Sequence, residues 1–296
     1  MKDAQQFTHL DKIFWPKEWI SKGELIAYYR EIAPVLVPFL KGRPESLNRH
    51  PDGINGESFF QKDIARMKPP PFVRIEKIRS ESLDKTLRSV VCDNAETLLW
   101  MANLGCIEID PWTSRVGSLD RPDFLVVDLD PEGAPFANVI EAALVMRKLL
   151  AGLGMDGYPK TSGGRGLHVY VPMGARYGTD DVLKFAELLS VLAHEKLPAT
   201  TSLERSPRHR KGMVYFDFLQ NRHGATTVAP YSARPRPGAP VSAPLEWKEV
   251  KRGLDPTAFT LKTMPRRLDR KGDLFAPVLG KGADLSAALA RMRERR

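Results

Sequence analysis

The chain carries only two cysteines, no apolar run of membrane-spanning length and no internal repeat. Cys92 and Cys106 lie in apolar surroundings and match no metal-ligand spacing, so they read as reduced core thiols of a cytosolic protein. The opening Met-Lys-Asp-Ala-Gln-Gln lacks the apolar region of a signal peptide, and no segment approaches a membrane span, so a cytoplasmic location without a membrane partner is expected. What is present is ordinary for a globular protein with a proper core. Hydrophobic residues make up 42% and charged residues 27% of 296, enough for one large domain or two small ones. The formal net charge of +9 favours acidic polymers as partners, though many basic proteins bind none.

The most informative stretch is Phe124-Leu-Val-Val-Asp128-Leu-Asp130-Pro131. An apolar run bounded by a breaker predicts a buried strand, and its period of two sets Asp128 and Asp130 on one face at its end. Such carboxylates are either solvated or Arg-paired, or they hold a hard divalent cation such as Mg2+ or Mn2+. Further on, Tyr158-Pro-Lys-Thr-Ser162-Gly163-Gly164-Arg165-Gly166-Leu-His168-Val-Tyr-Val-Pro172 predicts a strand after a glycine-rich loop. Glycines let N–H groups approach an anion, and Ser162 and Arg165 add phosphate donors; a plain hairpin turn is the alternative. His168 shares a face with those donors. The third segment, Gly212-Met-Val-Tyr-Phe-Asp217-Phe-Leu-Gln220-Asn221, sets one acid among apolar residues. Asp217 either pairs with Arg205, Arg208, Arg210 or Lys211 or joins Asp128 and Asp130 as a metal ligand.

The rest of the chain supplies the frame. Ser21-Lys-Gly-Glu24 fits a capping box opening a helix that Pro34 ends, with Lys22 in its first turn and Lys12 one short loop before it. Residues 43–79 predict two or three strands, with one ring of Phe59-Phe60 packed inward and the other facing out. Helices are expected at about 94–104, 135–153 and 180–196, with a strand at Cys106–Asp110. The stretch 224–244, with five prolines, reads as a linker or as a packed strand and loop. The tail beyond about Asp284 ends in Arg291, Arg293, Arg295 and Arg296 and reads as a docked basic helix or the start of a linker.

The order D-L-D-P, S-G-G-R-G-L-H-V-Y, V-Y-F-D-F-L-Q-N and A-T-T-V-A-P-Y-S-A-R-P-R-P-G-A-P-V-S resembles the polymerase domain of bacterial DNA ligase D, of the archaeo-eukaryotic primase superfamily, from about Thr8 to about Phe259. The resemblance implies an α/β primase-polymerase fold, with mostly antiparallel sheets flanked by helices and the active site in a cleft between sheets. It implies a single domain over 1–296: an end-binding part at about 8–110, a catalytic core at about 111–260 and a basic tail at about 261–296. It implies a template-dependent nucleotidyltransferase that adds nucleotides, preferably ribonucleotides, at DNA ends during non-homologous end joining. Asp128, Asp130 and Asp217 would be catalytic and hold two divalent ions, Mn2+ or Mg2+. Ser162, Arg165, Gly166, His168, Gln220, Arg234 and Asp110 would bind the nucleotide, with Arg234 on the triphosphate. Lys12 and Lys22 would take a 5′-phosphate; Phe60, Arg49 and Lys62 would contact DNA.

Partners would be 5′-phosphorylated DNA ends, primer–template DNA and NTP or dNTP, with Ku and a DNA ligase, at the nucleoid. Three positions depart from the family: Asn48 stands where a basic residue is common, Asp110 where His or Asn is, and Arg165 where Lys is. A carboxylate at Asp110 would accept a hydrogen bond from a sugar hydroxyl or pair with Arg115. No K-x-D-G motif occurs, so no ligase domain is expected within these residues. A metal-dependent nuclease and a non-catalytic end-bridging module are the other readings of the same residues.

Overall fold

The computed structural model describes residues 6–80 and 84–294, so Arg295 and Arg296 lie outside the described residues. In chain order the elements are β1 (Ile13–Trp15), β2 (Ile20–Ser21), α1 (Lys22–Leu40), β3 (Glu45–Arg49), β4 (Phe59–Gln61), β5 (Arg74–Ser80), β6 (Lys85–Val91), α2 (Ala95–Asn103) and β7 (Cys106–Pro111). They continue as β8 (Phe124–Pro131), α3 (Phe136–Gly152), β9 (Tyr158–Thr161), β10 (Leu167–Pro172), α4 (Thr179–His194), β11 (Thr201–Ser202), β12 (Val214–Asp217), α5 (Met264–Lys271) and α6 (Leu285–Glu294). Two compact units interleave along the chain. One takes the residues up to Val116 with Thr226–Ala243 and Thr257–Gly272; the other takes Gly117–Ala225, Pro244–Pro256 and the residues from Asp273. Among the described residues no helix is long and apolar enough to cross a membrane.

In the first unit, Ser21 caps α1 as its sequence requires. Glu24 N donates to Ser21 Oγ at 3.2 Å and Ser21 N to Glu24 Oε2 at 2.8 Å. The helix does not stop at Pro34. It runs on to Leu40 with Pro34 and Pro38 inside it. The two prolines lie one turn apart and both are exposed, so the hydrogen bonds they forfeit fall on the outer side. The inner stripe of Leu25, Ile26, Tyr29, Ile32, Leu36, Phe39 and Leu40 continues buried through both, and this packing outweighs the local break. Tyr28 Oη donates to Tyr231 O and Tyr29 Oη to Ile107 O, each at 2.6 Å, which ties the proline-rich stretch and β7 to the helix. That stretch is packed, with Val228, Ala229, Tyr231, Ala233 and Val241 buried and a bridge from Ala233 to Val241. Beside it are an antiparallel three-stranded sheet in the order β4-β3-β7 and the β5–β6 hairpin.

The second unit is built on a five-stranded sheet in the order β11-β12-β8-β10-β9, antiparallel except for the β11–β12 pair. Leu125, Val126, Val127 and Leu129 of β8 are buried, as expected of a strand covered on both faces, and α3 and α4 pack against it. Past Asp217 the chain leaves the sheet in a 3-10 turn, Phe218–Asn221. The Asn221 side chain then takes the place of the missing strand residue. Its Oδ1 accepts from Val126 N and its Nδ2 donates to Val126 O, both at 2.8 Å. The tail forms a docked helix, α6, whose Arg291 donates to Leu153 O at 2.7 Å.

Asn221 is buried, so Asn221→Ala leaves both polar groups of Val126 without a partner. A loss of about 2–4 kcal/mol in unfolding free energy is expected. Urea titration of the two proteins measures it, and a loss below about 0.5 kcal/mol would show that water or a neighbour replaces the amide.

Candidate active site

Antiparallel register assembles the acidic face of the second unit. On β8, Asp128 and Asp130 share a face by the period of two, and Asp217 of β12 stands directly opposite Asp128. On the other side, His168 of β10 is opposite Asp128, and Lys160 of β9 is opposite His168. Lys160, His168, Asp128 and Asp217 therefore form one row across four strands. Directly opposed residues bring their Cβ atoms to about 4.5–5.5 Å, close enough for side chains to interact along the row. His168 Nε2 lies 3.4 Å from Asp128 Oδ1, and Lys160 Nζ, fully buried, lies 3.1 Å from His168 Nδ1.

Asp217 turns onto its own backbone. Leu219 N donates to its Oδ1 at 3.1 Å and Gln220 Nε2 to its Oδ2 at 3.3 Å. The Tyr215 side chain also interacts with it, and among the described residues no ion pair joins it to the basic run upstream. Arg210 of that run instead stacks over Tyr215 at 3.9 Å and faces Glu132 at 3.9 Å. The three aspartates are partly exposed, so solvent reaches them. Among the described residues no three acidic, His or Cys side chains are already gathered as a metal cage. The donor set nonetheless fits hard divalent cations, which take carboxylate oxygens.

The glycine loop beside this face is built by Ser162. Its Oγ accepts the N–H groups of Gly164 and Gly166, both at 3.1 Å, while Ser162 N donates to Gly166 O at 3.0 Å. Two of the N–H groups expected to face an anion are therefore spent inside the loop, and the serine organises the turn. A Cβ at Gly166 would lie 2.3 Å from Leu129 O, so only glycine allows this approach to β8. Arg165 is exposed at the tip of the loop.

In the first unit, Asp110 of β7 is buried opposite Ser46, and neither Asp110 Oδ2 nor Ser46 Oγ has a hydrogen-bond partner. Burial, then repulsion from Glu108, pushes the Asp110 carboxyl well above the usual range, and Arg234 pulls the other way. The expected carboxylate is therefore biased toward the neutral acid, which donates as well as accepts. The Arg115 guanidinium donates to Lys41 O at 2.8 Å. Arg234 Nε lies 2.6 Å from Glu108 Oε2, although its N–H is not aimed along that line. Glu108 and Lys160 thus belong to the polar clusters and were not anticipated from sequence. Glu108 stands two residues before Asp110 on one strand, and Lys160 mirrors His168 across the hairpin that Ser162–Gly166 closes.

Lys22 is buried at the start of α1. Its Nζ donates to Thr8 O at 2.7 Å, and burial together with repulsion from Lys12 lowers its pKa. Lys12 Nζ donates to Pro51 O at 2.9 Å and pairs with Asp52. On the short edge strand β4 neither phenylalanine packs inward. Phe60 is 65% exposed, and Phe59, 46% exposed, lies under the Arg49 guanidinium at 5.2 Å. An edge strand of three residues has too little sheet over it to bury either ring. Arg49 is committed further, with Nε to Leu104 O and Nη1 to Gln61 Oε1, both at 3.1 Å, while Lys62 is exposed.

Three carboxylates on one sheet face beside a glycine-built loop are a donor set of the kind that suits metal-assisted phosphoryl transfer. The family model described as LigD, primase-polymerase domain, matches residues 21–275. The chain belongs to that family. It is 37% identical over 289 residues to the multifunctional non-homologous end joining protein LigD of Pseudomonas aeruginosa, covering 97% of this chain and 34% of the relative. It is 34% identical over 297 residues to the bifunctional non-homologous end joining protein LigD of Bacillus subtilis, covering 98% and 47%. The chain thus spans less than half the length of these relatives. The polymerase domain from Mycobacterium tuberculosis ligase D, solved in complex with DNA, superposes with a TM-score of 0.86 at 30% identity, over 95% of this chain and 99% of that one.

The upward shift at Asp110 has a sign that can be tested. Below pH 4 the carboxyl is protonated in both folded and unfolded chains. As pH rises through the unfolded value of about 3.9, only the unfolded chain releases the proton, so stability falls until the raised folded value is passed. Asp110→Asn is therefore expected to raise Tm more at pH 7 than at pH 4. An equal change at both pH values would mean that Asp110 ionises normally in the fold.

Proposed function

We propose that the chain is a template-dependent primase-polymerase that extends 3′ ends at DNA breaks. The direct opposition of Asp128 and Asp217, with Asp130 on the same face, carries this reading. The three carboxylates hold divalent ions, two in number and Mn2+ or Mg2+ in identity. When bound, such ions lower the pKa of an attacking 3′ hydroxyl and neutralise the leaving pyrophosphate. His168 presents an imidazole beside Asp128, where it orients that carboxylate or donates to a phosphate oxygen. Arg165 offers its guanidinium group to the triphosphate, and Gln220 holds Asp217 in place. Asp110, biased toward its neutral form, reads a ribose hydroxyl and favours ribonucleotides.

Lys12 and Lys22 form the end-binding part of the same reading. Two ammonium groups that repel each other, one of them buried, are relieved by an anion between them, and a 5′-phosphate supplies it. Phe60 and Lys62 face the template strand. The relatives bear names of end-joining proteins, and the similar solved domain is in complex with DNA, which supports a role in joining breaks; Ku and a ligase are the partners this reading implies.

Primer extension on a template with Mn2+ and nucleotides tests the chemistry. The primer lengthens, ATP is used better than dATP, and Asp128→Ala or Asp217→Ala reduces extension by more than about a hundredfold without lowering Tm. Shortening of the primer would favour a nuclease, and substantial extension by both variants would end the carboxylate-cluster mechanism. The end-binding part is tested separately. Lys12→Ala with Lys22→Ala is expected to weaken binding to DNA with a recessed 5′-phosphate more than to its 5′-hydroxyl counterpart, and to reduce the log–log salt slope by about one unit per lost contact. Equal losses on both DNAs would make the lysines a general basic surface.

A further inference from the structure

Among the described residues, only Leu10, Trp19, Phe59, Phe60 and Leu289 are exposed large apolar side chains. Two of these five lie within three residues of Lys12 or Lys22 in the chain: Leu10, 44% exposed, and Trp19, 74% exposed. Trp19 closes the β1–β2 hairpin, whose register sets Ile13 opposite Ser21 and Trp15 opposite Ile20. Its backbone has φ +55, and that of His9, next to Leu10, has φ +51. This left-handed region is uncommon for residues other than glycine and a genuine outlier for a bulky side chain. Strain of this kind persists only where neighbours over-determine it, and it gathers at binding sites.

The hairpin is over-determined in this sense. Glu18 Oε1 accepts from Gly238 N at 2.6 Å, and Trp15 Nε1 donates to Arg236 O at 2.9 Å. Lys22 N donates to Lys12 O and Gly23 N to Leu10 O, both at 2.8 Å. The indole is therefore held out in water on a fixed base, two residues after the exposed Lys17 and three before the buried Lys22. Cations for phosphate and an aromatic face for a base are the two halves of single-strand nucleotide recognition. Trp19 precedes Lys22 by three residues, about 10 Å of extended chain, a reach comparable to that from a 5′-phosphate to its own base.

We propose that Trp19 is a stacking wall for the terminal base of a DNA strand whose 5′-phosphate is taken by Lys12 and Lys22, with Leu10 bounding the opposite side. This rests on the end-binding reading above and adds to it a contact with the base. The chain as a whole carries a net +9, which favours a polyanion over a second copy of itself.

The test uses the full chain and fluorescence anisotropy on duplexes with a recessed 5′-phosphate. The 5′-terminal nucleotide is either normal or abasic. Trp19→Ala is expected to bind the normal end about tenfold more weakly, with Trp19→Phe recovering most of the loss. On the abasic end all three proteins bind alike. Trp19→Gly separates stacking from structure: it weakens binding to the normal end as alanine does, yet raises Tm, because glycine adopts a positive φ without strain. An unchanged affinity, or equal losses on normal and abasic ends, overturns the stacking role while the lysine reading stands. Lower Tm in Trp19→Gly alongside weaker binding makes the indole structural and also overturns it. Indifference of the wild-type chain to the 5′-phosphate overturns the end-binding reading and this inference together.

Discussion

Like charges set directly across a strand pair repel, and most sheets avoid them. Here β8 and β12 hold Asp128 against Asp217, and much of the second unit is arranged to tolerate this. His168 meets Asp128 from the neighbouring strand, with Lys160 behind it. Leu219 N–H and the Gln220 amide draw the Asp217 carboxylate toward the 3-10 turn. That turn exists because the chain leaves the sheet at Asp217, and the exit is possible because Asn221 replaces the lost strand hydrogen bonds. Even the absence of a side chain at Gly166 serves the same end, by letting the loop lie against Leu129 at the head of the acidic face.

The first unit carries its own buried charges. Glu108, Asp110 and Arg234 form a cluster in which one arginine faces two acids, while Glu45 is buried with neither carboxylate oxygen partnered. Burial, only partly offset by Arg43, pushes Glu45 well above its ordinary range. Buried ionisable groups without full compensation lower stability, and here they concentrate on β3 and β7.

Much of this was legible in the sequence because it depends on local rules. The apolar run of β8, the capping box of α1 and the helices near 95, 136 and 179 follow from periodicity and end signals, and the structure places them within a residue or two. The acidic residues were legible as candidates because an Asp among Val, Phe and Leu is costly without a purpose. What failed was set by tertiary context. Pro34 breaks a helix only when packing does not hold the turns on either side. The exposure of Phe59 depends on how little sheet lies beyond β4. The interleaving of the two units could not be read, since Thr226–Ala243 and Thr257–Gly272 return to strands more than a hundred residues earlier. Glu108 and Lys160 gained importance only through neighbours across a sheet.

The buried acids change how the molecule presents itself at long range. A net charge of +9 counts every carboxyl as ionised. Burial raises the pKa of Glu45 and Asp110, so in the pH range between their unfolded and folded values each carries less negative charge in the fold than in the unfolded chain. The lowered Lys22 works in the opposite sense. Where the acids outnumber the lysine, the folded chain is more positive than its own unfolded form. Folding would then not only position contacts for a polyanion but also strengthen the attraction that draws it in from solution.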